Sequence, residues 1–187
     1  MKRAFKEALE NSPIIAAIKD EEGLKKCLTS ESQVIFILYG DILTIPEIVQ
    51  TVKSSGKLAM VHIDLITGLS NKEVSVDYIK KYTLADGIIT TRPNLINHAK
   101  EIGFYTILRF FLIDSMAYEN IERQVKTTKP DVIEVLPAMA KIVSKICAVS
   151  PTPVIAGGLV SDKEDVMSLL QAGVISVSTT TNNLWFI

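Results

Sequence analysis

The 187-residue chain is 48% hydrophobic and 22% charged, which suits one domain with its own core and falls short of two. Its formal net charge of −1 offers no general attraction to nucleic-acid phosphates. The longest apolar run, residues 34–39, is far below the ~18 residues of a membrane helix, and the charged N-terminus lacks the apolar segment of a secretory leader. A cytoplasmic protein with no membrane partner is therefore expected. The N-terminal stretch, charged at Lys2, Arg3, Lys6, Glu7 and Glu10, reads as a short amphipathic helix with Ala4, Phe5, Ala8 and Leu9 on one side. Beyond it, short β-branched runs alternate with segments of helical periodicity, and no change of composition marks a linker, so residues 1–187 read as a single domain. Strands are expected at 14–19, 34–41, 58–65, 87–91, 105–113, 132–136, 153–157 and 174–179. Gly56, Gly103 and Gly173 stand where helices should stop in a left-handed residue. Thr44 before Ile45-Pro46-Glu47 and Asp114 before Ser115-Met116-Ala117 read as N-caps. After the eighth strand only residues 182–187 remain, too few for a full eighth helix, and the N-terminal helix is expected to cover part of the barrel left bare.

Repeated βαβ crossovers without a hairpin signal leave an open doubly wound sheet or a closed barrel. The strands carry Val, Ile and Leu on both faces, and several end in polar groups that a barrel would gather at one mouth. We therefore expect an α/β fold, a compact (β/α)8 TIM-type barrel with a short or missing eighth helix. The polar strand-end residues are Lys19 on the first strand, Asp41 on the second, and His62 and Asp64 on one face of the third. Thr90, Thr91 and Arg92 end the fourth strand, while Arg109 and Glu134 lie within the fifth and sixth. A lone buried charge costs several kcal/mol, so these groups should be paired, with Arg109 and Glu134 on neighbouring strands the natural couple. They read either as a structural ion-pair layer or as a polar floor beneath a small ligand.

The last two strands carry the sharper signal. Ala156-Gly157-Gly158-Leu159 follows the seventh, and Ser178-Thr179-Thr180-Thr181 ends the eighth. Paired glycines let main-chain N–H groups approach an anion, and hydroxyls add donors, at the position where barrels most often hold phosphate. A phosphate is thus expected against Gly157, Gly158, Ser178, Thr179 and Thr180, with Lys19, Asp41, His62, Asp64, Thr91, Arg109 and Glu134 around the ligand's polar end. One turn at Asn182-Asn183-Leu184 could assist.

Catalytic and metal chemistries find little support. The only histidines are His62 and His98, the latter in a helical segment, and neither forms a zinc spacing with Cys27 or Cys147, which read as two reduced structural thiols. The Asp-x-Lys pair of phosphosugar decarboxylase barrels is replaced by His62-Ile63-Asp64-Leu65-Ile66. Lys19 could form a Schiff base only if desolvated, and Asp20, Glu21 and Glu22 beside it argue for a solvated lysine. No catalytic residue, metal or cofactor is assigned, although an Asp64 and Glu134 acid–base pair stays open.

Along nearly its whole length the chain resembles the glycerol-3-phosphate-responsive antiterminator proteins. The resemblance rests on Gly40-Asp41-Ile42, Val61-His62-Ile63-Asp64-Leu65-Ile66-Thr67-Gly68-Leu69 and Ala85-Asp86-Gly87-Ile88-Ile89-Thr90-Thr91-Arg92. It continues through Arg109-Phe110-Phe111-Leu112-Ile113-Asp114, Asp131-Val132-Ile133-Glu134-Val135-Leu136-Pro137, Ala156-Gly157-Gly158-Leu159 and Val177-Ser178-Thr179-Thr180. Ala138 and Ala140 stand where the family has Gly and Pro, and Leu108 where it has Gln. The resemblance implies a regulatory barrel that binds glycerol 3-phosphate and, so loaded, acts as an antiterminator on an mRNA leader controlling glycerol uptake and metabolism genes. Arg92, Lys141, Lys145 and Lys163 are the basic residues expected near the mouth for such an RNA. Two alternatives share the scaffold, a phosphosugar-handling isomerase or lyase and a phosphate-ligand sensor without RNA binding.

Overall fold

The computed structural model describes residues 3–187, so Met1 and Lys2 of the expected N-terminal helix lie outside the described residues. Eight parallel strands close into a barrel in sequence order. They are β1 (Ile14–Ile18), β2 (Val34–Ile37), β3 (Leu58–His62), β4 (Gly87–Thr90), β5 (Tyr105–Phe111), β6 (Val132–Leu136), β7 (Val154–Gly157) and β8 (Ser176–Thr179). Helix α1 (Arg3–Asn11) precedes β1, and α2 (Glu21–Cys27), α3 (Ile45–Ser54) and α4 (Glu73–Tyr82) follow the first three strands. Helices α5 (Pro93–Glu101), α6 (Ser115–Thr128), α7 (Ala140–Val149) and α8 (Lys163–Gln171) follow the next four. Gly56, Gly103 and Gly173 have positive φ, as expected of helix stops, and Asp114 caps α6 by accepting from Ala117 N at 2.8 Å.

Strand alternation sorts the core into two bodies. Ala16, Ile18, Ile35, Val61, Leu108 and Ile133 face outward into the shell of helices. Their alternates Ile15, Ala17, Phe36, Met60, Ile107 and Val132 fill the barrel interior together with Phe5, Ala8 and Leu9 of α1. Contrary to expectation, the N-terminal helix therefore does not cover the wall left bare by the missing helix after β8. It plugs the base of the barrel, with the Phe5 ring stacked on Tyr105 at 4.6 Å and Ser176 Oγ donating to Leu9 O at 3.0 Å. The plug wins because eight closed strands leave an apolar opening at their N-terminal ends that only a compact apolar face can fill. The bare outer wall beyond β8 is covered instead by a 3₁₀ turn, Asn182–Phe186. Its Leu184 and Trp185 are buried, and Trp185 Nε1 donates to Thr179 O at 2.9 Å.

Because the base is sealed by apolar contacts, the inward residues nearer the C-terminal ends are free to be polar. Along the same inward parity stand Leu38, His62, Arg109, Glu134, Gly157 and Ser178. The second strand ends at Ile37, short of Asp41, which sits in the following loop.

Phe5 is fully buried at the plug. Phe5→Ala should lower unfolding stability by about 3–5 kcal/mol in urea denaturation, the cost of a large cavity under the barrel. A loss below about 1 kcal/mol would show that the base is sealed without it.

Candidate functional site

The floor of the mouth is built by register. Arg109 and Glu134 are direct partners across β5 and β6, and Arg109 Nε lies 2.6 Å from Glu134 Oε2. Their side chains are 7% and 1% exposed, so the pair exists in a low dielectric where neither charge could stand alone. The other Glu134 oxygen, Oε1, accepts from Ser178 Oγ at 2.6 Å. That reach passes over Gly157, where a Cβ would collide with Ser178 Oγ and lie 3.0 Å from Glu134 Oε1. Glycine is required there to let β6 and β8 side chains meet across β7. Apart from this Nε bond the Arg109 guanidinium makes no hydrogen bond to the described residues, and Arg109 lines a cavity of about 110 Å³. That cavity is also lined by Glu134, Gly158, Ser178, Thr179 and Thr180.

The loops above the floor are pinned to one another. Val160 O accepts from Thr179 Oγ1 at 3.1 Å and from Thr181 Oγ1 at 3.0 Å, and Ala138 N donates to Gly158 O at 3.2 Å. The hydroxyl run is thus largely committed: Ser178 donates to Glu134 and Thr179 to Val160, leaving Thr180, which is exposed. The main-chain N–H groups of Gly158, Leu159 and Thr180 have no hydrogen-bond acceptor among the described residues. Gly158 has φ +76° and Leu159 φ +60°, so the loop turns back sharply at the cavity rim.

A second polar group sits at the C-terminal ends of β3 and β4, where Asp64 lies in the 3₁₀ turn Ile63–Leu65 and not on the third strand as expected. Asp64 is held by Thr90 Oγ1 at 2.7 Å, Thr91 N at 2.8 Å and Thr91 Oγ1 at 2.9 Å, with Arg92 Nε at 3.9 Å. Its carboxylate therefore fixes the end of β4, and Thr91 is spent in the same contact. His62 is 2% exposed, and its Nδ1 has no partner among the described residues. Burial first and the Arg109 guanidinium second push its imidazole down from 6.5 to about 4, against the opposing pull of Asp64. The ring is neutral at pH 7, and the tautomer that avoids an orphaned buried N–H carries its hydrogen on Nε2.

Gly157, His62, Asp64 and Thr91 do not themselves line the cavity, and two further expected residues, Asp41 and Lys19, serve elsewhere. Asp41 Oδ1 accepts from Leu43 N at 2.8 Å, Thr44 N at 2.9 Å and Thr44 Oγ1 at 3.1 Å, and these bonds, the Thr44 amide first, lower its pKa. It organises the turn into α3, and Thr44 serves this Asp rather than capping the helix with its own oxygen. Lys19 is exposed in a separate polar cleft beside Lys26, Thr181 and Asn182, sharing only the Thr180 wall with the cavity. Leu136 of the Leu-Pro loop lines the cavity, and so does Leu38, which was not singled out from sequence although the inward parity of Phe36 would have pointed to it. The family departure at Leu108 faces the helical shell, away from the ligand side.

The basic residues of the mouth are interleaved with acids. Asp20, Asp114 and Asp162 cap α2, α6 and α8, and Glu21, Glu22, Glu47, Glu73, Glu164 and Asp165 occupy first helical turns on the same end. The helix dipoles account for that placement.

Comparison with known proteins follows the same segments. The sequence pattern of the family described as glycerol-3-phosphate responsive antiterminator matches residues 14–185. The uncharacterized protein YgcP of Escherichia coli (strain K12) is 44% identical over 178 residues, 95% of this chain and 93% of that one. The crystal structure of a glycerol uptake operon antiterminator regulatory protein from Listeria monocytogenes is similar with a TM-score of 0.90 and 33% identity, over 94% of this chain and 95% of that chain. A glycerol uptake operon antiterminator-related protein from Thermotoga maritima is similar with a TM-score of 0.82 and 36% identity, over 93% and 98%.

Glu134→Ala strands a buried guanidinium and should lower stability by about 3–5 kcal/mol. The double variant Arg109→Met/Glu134→Leu should lose much less, because no unpaired charge remains. Equal losses in urea denaturation would contradict the pairing argument. His62 titrates with a depressed folded-state pKa, so its contribution is present above its unfolded value and is lost as pH falls from 6.5 toward about 4. Stability curves across that window should slope downward in the wild type and flatten in His62→Gln.

Proposed function

The chain belongs to the glycerol-3-phosphate responsive antiterminator family, and from that premise we propose that it is a non-catalytic sensor that holds glycerol 3-phosphate in the mouth cavity and, so loaded, acts on an mRNA leader. One observation carries the ligand reading. Main-chain donors at Gly158 and Thr180 border the same small cavity as the Arg109–Glu134 pair. An anion suits unpaired N–H groups on a tight loop. Hydroxyls suit the floor, because the ion pair is neutral in sum and offers donors on Arg109 Nη beside acceptor lone pairs on Glu134. In this reading the phosphate takes its hydrogen bonds from the main chain of Gly158, Leu159 and Thr180 and from the Thr180 hydroxyl. The Ser178 and Thr179 hydroxyls hold the loops in place instead of touching the ligand.

An enzyme reading gains no residue from the geometry. Lys19 is exposed outside the cavity, and Asp64 and Thr91 are engaged with each other. The RNA reading rests on the family alone, and the acidic helix starts around the mouth limit it to a few phosphate contacts, with Arg92, Lys141 and Lys163 as contributors.

Calorimetry with glycerol 3-phosphate, glycerol, inorganic phosphate and triose phosphates tests the ligand. Glycerol 3-phosphate should bind tightest, none should be turned over, and the single tryptophan, bonded to Thr179 O, should report occupancy by fluorescence. Gly158→Val places a Cβ against Leu136 at a positive φ and should weaken binding by about 1–3 kcal/mol. Unchanged affinity in that variant would move the phosphate elsewhere.

Leader-RNA titration at two salt concentrations tests the partner. A log–log slope of roughly −0.7 per phosphate contact is expected for single strands. Ligand should tighten RNA, and RNA should tighten ligand by the same factor. Absence of RNA binding in either state, with ligand binding intact, would leave a sensor with another output.

A further inference from the structure

An open seam in the shell of helices runs between α6 and α7. At its mouth end is a groove of about 570 Å³ with Leu112, Ile113, Met139 and Ile142 in its lining. It continues toward the base past Val125, Ile146 and Val149. The corner of the rim beside it exposes Ile113 at 85%, Met116 at 70% and Phe111 at 50%, a gathering of apolar side chains that single scattered exposures do not explain. The groove's charges are divided between its walls. Glu119 stands on α6 and Lys145 on α7, and neither has an ion-pair partner among the described residues.

We propose that this seam is the docking surface for a second copy of the same chain, related by a two-fold axis. A two-fold interface must be complementary to itself, and this patch meets that condition twice. It carries an exposed apolar wall, Ile113, facing a groove that also holds Leu112, Met139 and Ile142, so the apolar rim of each copy can cover that of the other. It also carries an unpaired acid and an unpaired base on opposite walls, so Glu119 of each copy faces Lys145 of the other. A nucleic acid is the poorer occupant, because Asp114, Glu119 and Glu122 stand on the α6 wall. The surface is separate from the ligand cavity, so this proposal stands or falls independently of the ligand.

Sedimentation velocity over a wide concentration range tests it with the full chain. The wild type should sediment as a reversible dimer. Ile113→Asp, at a position already in water, should leave the thermal melt unchanged and weaken association by roughly 30-fold or more, as loss of a central apolar contact does. Lys145→Glu should weaken it by repulsion, and the reversed pair Glu119→Lys/Lys145→Glu should restore it to within about threefold of wild type. A wild type that remains monomeric at every concentration overturns the proposal. So does a dimer that Ile113→Asp does not disturb, or a reversed pair that fails to restore association.

Discussion

An arginine and a glutamate, side by side on adjacent strands and shut off from water, set conditions that the surrounding residues must satisfy. Arg109 and Glu134 are held 2.6 Å apart by strand register, so no long side chain needs to be steered into place. The cost of removing both charges from water is offset only if the remaining donors and lone pairs are also used. Ser178 meets one of them, and it can do so only because β7 contributes a glycine at position 157. The residues at two strand ends, Gly157 on β7 and Ser178 on β8, thus follow from one buried pair. In the proposed function, the donors left over on Arg109 make the same structural layer the floor beneath the ligand.

The barrel is polar at one end because it is closed at the other. Phe5, Ala8 and Leu9 of α1 complete the apolar interior from below, and water is kept from the ion pair on that side. Above, the loops after β6, β7 and β8 are tied together through Gly158 O and Val160 O. Those ties use up hydroxyls that would otherwise be free to meet an anion, and they hold the main-chain N–H groups in a fixed array instead. Preorganised main-chain donors lose little on binding, which favours them over mobile side chains for holding a small anion. The neutral His62, between Arg109 and Asp64, adds polarity without adding charge.

The alternation of eight β-branched runs with helical segments was legible in the sequence, as were the helix stops at Gly56, Gly103 and Gly173 and the cap at Asp114. Period-two burial and left-handed glycines are local properties, imposed by the chain on itself. The pairing of Arg109 with Glu134 was also legible, because neighbouring strands in a barrel leave a buried arginine few partners. The paired residues and the glycine loop also sit within the segments that mark the family.

Tertiary structure alone decided which surface each element covers and which partner each polar group takes. An amphipathic N-terminal helix announces that one face is buried, but whether it lies on the wall or under the base depends on the shape of the opening that eight closed strands leave. A hydroxyl has one proton to donate, and whether Ser178 and Thr179 give theirs to a ligand or to Glu134 and Val160 is settled by residues 44 and 19 positions away. Asp41 and Asp64 look alike as acids near strand ends, yet one closes a turn on its own loop and the other fastens the end of the neighbouring strand. Sequence pattern determines what must be buried or paired; only the folded chain brings together the distant groups that compete for each pairing.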